Sequence, residues 1–173
     1  MATKKIGLTV YGFSIQDGAN ARVELNTFGE NKESFITVAE QYLTKIKNMY
    51  ENDSQNDSVF LFEQIETEQE FNEQNQGLYS ILYLRIKTGD YGIESELVDS
   101  DTGKVAHIRN EKEADVMPFG AAIMVPSGKM NNGIIILQSI SKYGIKLALQ
   151  KRMDMFVKKN QSRISFQNGC YCS

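Results

Sequence analysis

The feature that most limits what this chain can fold into is the stretch 116–158. Two apolar runs, 116–125 and 133–140, flank a turn-rich insert that contains Pro126, Gly128 and Asn131-Asn132. Beyond the second run, Ser141-Lys142-Tyr143-Gly144 leads into a helical pattern. These spacings predict strand, turn, strand and helix. Ile134, Ile135, Ile136 and Leu137 are apolar without alternation, which predicts a strand covered on both faces. A central hairpin with a helix laid across it is the expected core.

The remaining segments supply partners for that hairpin. Residues 5–15 alternate Ile6, Leu8 and Val10 and read as a strand. Phe35, Val38, Ala39, Tyr42, Leu43, Ile46, Met49 and Tyr50 recur at three and four residues, predicting a helix over about 32–50, with Asn31 as its cap. Residues 51–58 read as a polar loop and 59–65 as a strand. The acidic 66–77 reads as a solvated loop or strand edge. Residues 78–88 alternate and form a strand. Two shorter strands, 91–98 and 104–109, flank a turn at Asp99–Gly103 where Gly103 can take positive φ. A second helix is predicted over about 145–159, with Ile145, Ala148, Leu149, Met153 and Phe156 along one side and Leu147 and Val157 widening it. Residues 163–166 resemble the start of a further strand. The expected fold is a single α+β domain, 1–173, with two main helices and a mostly antiparallel sheet of about six to seven strands.

Composition narrows the function classes. The 173 residues include 41% hydrophobic and 24% charged side chains with a net charge of −3, so no global basic footprint for nucleic acid exists. No stretch approaches the roughly 18 apolar residues of a membrane span. The first residues lack the apolar run and cleavage site of a secretory signal. Both cysteines, Cys170 and Cys172, lie at the end and cannot staple a core, so a cytoplasmic protein is expected.

Candidate chemistry is sparse. The single histidine, His107, sits in a strand segment with no Ser or Cys paired to it in sequence, and reads as structural. One histidine and two terminal cysteines do not make a zinc set. Asp99-x-Asp101 starts like a calcium loop, but Gly103 is fifth rather than sixth and Asn110 is twelfth. Gly128-Lys129 lacks the hydroxyl residue and the helix of a phosphate loop. No metal, cofactor or catalytic residue is therefore assigned. A weak anion site is expected at the start of the last helix, from Lys142, Gly144 and Lys146. The last helix also carries Lys151, Arg152, Lys158 and Lys159, largely off its apolar stripe, as the expected partner-binding face. Residues 51–73 are wholly acidic, so a protein partner or a second copy of the chain could meet those cations.

Met117-Pro118-Phe119, Val125-Pro126, the Gly133–Gln138 run and Tyr143-Gly144-Ile145-Lys146 together resemble a pattern in uncharacterised bacterial proteins. Those proteins are associated with mobile elements and phage-defence regions. The resemblance covers about residues 116–150 and carries no site residues. Its relatives look longer, which implies that this chain corresponds to an N-terminal half. The expected function is a non-catalytic recognition or assembly module acting through protein–protein contacts. Two alternatives stand beside it. One is a magnesium-dependent nuclease using Glu94, Glu96, Asp99 and Asp101. The other is a sequence-independent nucleic-acid binder using the basic helix.

Overall fold

The computed structural model of the chain describes residues 5–29, 31–54, 57–74, 76–158 and 163–168. In chain order its strands are β1 (Ile6–Gln16), β2 (Glu51–Asp53), β3 (Ser58–Phe71), β4 (Gly77–Asp90), β5 (Ser95–Val98), β6 (Val105–Arg109), β7 (Met117–Pro126), β8 (Asn132–Ile140), β9 (Tyr143–Gly144) and β10 (Arg163–Asn168). Two α-helices, α1 (Phe35–Ile46) and α2 (Lys146–Lys158), complete the α+β fold. The main sheet is ordered β10-β1-β8-β7-β4-β3-β2, with β9 appended to β8, and every pairing is antiparallel. β5 and β6 form a separate two-stranded arm between β4 and β7.

One face of the sheet holds the core. Phe13, Phe60, Leu82, Leu84, Ile86, Phe119, Ile123, Ile135 and Leu137 point inward and are buried. Both helices lie on that face. α1 contributes Phe35, Ile36, Ala39 and Leu43, and α2 contributes Leu149, Met153, Phe156 and Val157. The helices meet through rings: Phe156 lies 5.9 Å from Phe35 and 4.9 Å from Tyr42, centroid to centroid.

Stacking both helices on one face corrects the expectation for β8. Ile135 and Leu137 are buried, but Ile134 and Ile136 point to the outer face and are only half-buried. The unbroken apolar run belongs to a strand with one buried face and one apolar, partly open face.

Several boundaries also differ from expectation. The α1 cap is Ser34, whose Oγ accepts the Thr37 amide at 3.1 Å, not Asn31. The helix ends at Ile46 rather than near Tyr50 because Asn48 takes φ of 60° and donates its amide to the Phe62 carbonyl. Met49 and Tyr50 are therefore exposed. Residues 51–53 form a strand, with Glu51 opposite Phe60 and Asp53 opposite Ser58. The acidic run up to Phe71 is the outer half of β3, paired throughout with β4. Leu147, placed on the apolar stripe by sequence, is 81% exposed.

Candidate functional site

The register of β7 and β8 opens a cleft. The two strands pair only from Ala121–Leu137 to Met124–Ile134. Beyond Leu137 β8 takes β9 as its neighbour, with Ser139 opposite Gly144 and Ile140 opposite Tyr143. The Gly120 amide, left without a strand partner there, donates to Oε1 of Gln138 at 2.6 Å. A cleft of about 640 Å³ lies where β7 and β9 part, between α2, the end of β4 and the β5–β6 arm. Its floor is Phe60, Met117 and Phe119. Gly89 makes the narrow crossing beside it possible, because a Cβ there would sit 1.9 Å from the Asp115 carbonyl oxygen.

One wall is charged but internally paired. Lys151 Nζ lies 2.5 Å from Asp53 Oδ2, and Arg152 Nε lies 2.6 Å from Glu51 Oε2. Arg152 is 5% exposed and stacks its guanidinium over the Phe60 ring at 5.1 Å. Such a pair holds because each charge keeps its partner while desolvated. α2, which packs on β10, is thereby tied to β2, the opposite edge of the sheet. The other wall is Arg109 on the arm. Its guanidinium donates to the carbonyls of Asp90 at 3.4 Å and Ile93 at 3.3 Å.

The sequence-predicted site residues therefore divide. Lys151, Arg152 and Gly144 line the cleft, whereas Lys142, Lys146 and Lys158 do not. Lys142 lies 5.4 Å from the Tyr143 ring centroid, and Lys146 lies 4.3 Å from that of Tyr11. Gly144 is part of β9 rather than a free turn into the helix. Lys158 is exposed at the end of α2; Lys159, Cys170 and Cys172 lie outside the described residues. The expected face of four cations loses Arg152 to the interior. Spacing carried a signal for this, since Arg152 falls at helical intervals with Ile145, Leu149, Met153 and Phe156. No local signal marked Glu51 and Asp53, the partners, because the β2–β3 register delivers them.

Two acids at the arm, Asp99 and Glu113, hold local structure. Asp99 Oδ1 accepts from the Asp101 and Thr102 amides and from the Thr102 hydroxyl, which holds its carboxyl below the usual range. His107 Nε2 lies 3.1 Å from Glu113 Oε2. The Asn110 amide first, and then His107, lower the Glu113 carboxyl. No group of three or more His, Cys, Asp or Glu side chains converges as a metal cage among the described residues. No helix among them is long and apolar enough to cross a membrane.

The outer face of the sheet is the second candidate. Ile6, Leu8 and Val10 project from alternate positions of β1 and are 67%, 71% and 52% exposed. Their cross-strand neighbours on β8 are Ile140, Gln138 and Ile136. The apolar row continues through Ala122 and Met124 of β7 to Tyr83 and Ile81 of β4. Beyond β4 the face turns acidic, with Glu66 opposite Tyr83, Glu68 opposite Ile81 and Glu70 opposite Tyr79. On the far side of β1, Arg163 of β10 stands opposite Gln16.

Comparison with protein-family models, with curated proteins and with solved structures finds no match.

Proposed function

We propose that this protein is a non-catalytic recognition and assembly module that works by protein–protein contact, and that its outer sheet face binds a second copy of the chain. The exposed Ile6, Leu8 and Val10 row carries this reading. Contiguous apolar surface in water is costly, and large patches mark interaction sites. Four strands at about 4.8 Å spacing and eight residues at about 3.4 Å rise give this face roughly 500 Å². Six strands, from β10 to β3, bring it to roughly 800 Å², the share each partner gives to a standard interface.

The charges around the patch favour one arrangement. A two-fold axis running along the strands lays the β10 flank of one copy over the β3 flank of the other, so Arg163 approaches the Glu66–Glu70 column. An axis across the strands would stack that acidic column on itself. The apolar rows then meet: β1 faces β4 and β8 faces β7.

The resemblance of residues 116–150 supports placing the module in a bacterial defence-type or mobile-element system, and a cytoplasmic setting goes with it. Sedimentation equilibrium at micromolar concentration tests the assembly. A species of twice 19.6 kDa is expected, reduced to one copy by Leu8→Lys with Val10→Lys. A monomer throughout, or a dimer indifferent to those changes, defeats the proposal. Cleavage of labelled DNA or RNA with magnesium would transfer support to the nuclease alternative.

A further inference from the structure

We infer that the cleft between α2 and the β5–β6 arm binds a small zwitterion with an apolar body, of the size class of a hydrophobic amino acid. Its volume of about 640 Å³ suits a small-molecule site. The inference rests on which of its charges are already satisfied, and it is independent of the assembly surface.

Lys151 and Arg152 are neutralised by Asp53 and Glu51. Arg109 is in no ion pair: its charge helps to lower the Glu113 carboxyl, but among the described residues no carboxylate lies within ion-pair distance of it. Only two long bonds to backbone carbonyls hold its guanidinium, and its Nε is buried without a partner. A guanidinium has five donors, and its spare ones match a carboxylate in two-point geometry. Asp90 and Asp115 line the same cleft, and among the described residues their carboxylates make no side-chain hydrogen bond or ion pair.

Opposite charges thus share one cleft without pairing with each other. An anion alone would meet the two aspartates, and a cation alone would meet Arg109. A molecule carrying both signs satisfies both sets, its carboxylate on Arg109 and its ammonium on Asp90 and Asp115. Met117 and Phe119 on the floor then take an apolar side chain, and the exposed Leu147 and Ile93 at the lip cover it.

Isothermal titration of the full chain with L-phenylalanine, L-leucine and L-methionine tests this. At least one should bind at millimolar concentration or below. Arg109→Gln and Asp115→Asn should each weaken that binding at least tenfold. The single-charge analogue of the probe that binds (phenylacetate or phenethylamine for phenylalanine) should bind at least tenfold more weakly than the parent. Leu8→Lys with Val10→Lys should leave it unchanged, which separates this site from the assembly face. Absence of binding by all three amino acids overturns the inference. So does loss in only one of the two cleft variants, or equal binding of a single-charge analogue.

Discussion

The outer face of the sheet has two halves that follow the same alternation and present opposite surfaces. Over β3 the outward positions are acidic, and at one end they pair with the outward cations of β4. Glu63 takes Arg85 at 2.8 Å and Lys87 on its other oxygen, while Glu66, Glu68 and Glu70 stand in a column. Over β1 and β8 the outward positions include Ile6, Leu8, Val10, Ile134, Ile136 and Ile140 with the neutral Gln138, and no charge among them. The inner face beneath is apolar in both halves, so the core did not require this difference. A surface paired with itself is finished in water, and a surface of bare isoleucine and leucine is not.

The largest expected effect weakens the tie between the two edges of the sheet. Arg152→Ala leaves Glu51 without its cation and uncovers the Phe60 ring, while Lys151 still holds Asp53. A loss of about 3–5 kcal/mol is expected from removing one member of a buried pair, read as a fall in the urea midpoint. Next comes the apolar half. Leu8→Lys with Val10→Lys should weaken self-association at least 100-fold, about 2.7 kcal/mol, while far-ultraviolet dichroism stays unchanged. The same charge placed at Glu66, in the acidic column that Arg163 of the second copy approaches, should weaken association by a smaller factor, since it removes a charge complement at the flank and leaves the apolar rows intact.

Gly133→Ala probes the seam beneath the apolar half. A Cβ there would sit 2.2 Å from the Phe13 ring and 2.8 Å from the Met124 carbonyl oxygen. Overpacking of this kind costs about 1–3 kcal/mol, measurable by thermal melting.

The smallest effect belongs to the charged half. Lys87, through its hydrogen bond and charge, and then Arg85 hold the Glu63 carboxyl below the usual glutamate range, against an opposing desolvation. A depressed carboxylate contributes stability above its unfolded pKa, and that contribution is lost as pH falls through the lower folded value. Glu63→Gln should therefore flatten part of the acid limb of the stability profile and only slightly lower stability at neutral pH, since exposed pairs contribute little. Association through the uncharged rows should not follow that titration.

Much of the architecture was legible because period and polarity report burial directly. Leu82, Leu84 and Ile86 alternate in sequence and are buried in β4. The apolar spacing of α1 and α2 marks the faces they bury, and the Asp99–Gly103 turn forms as its residues require, with Gly103 at φ of 67°. The site was less legible. Arg109 reads as an ordinary strand residue, and its spare donors depend on where the arm places it against Asp90 and Ile93. The cleft exists because β7 joins β8 only from Ala121 onward, a matter of pairing register with no letter code of its own.

By itself the sequence determined which segments are strands and helices and which side of most of them is apolar, because these follow from local periodicity. Only the tertiary structure decided that both helices share one face, leaving Ile134 and Ile136 open on the other. It alone decided that Arg152 would be neutralised by Glu51 rather than offered to a partner. Those outcomes depend on contacts between residues about 100 positions apart, which no short window of sequence encodes.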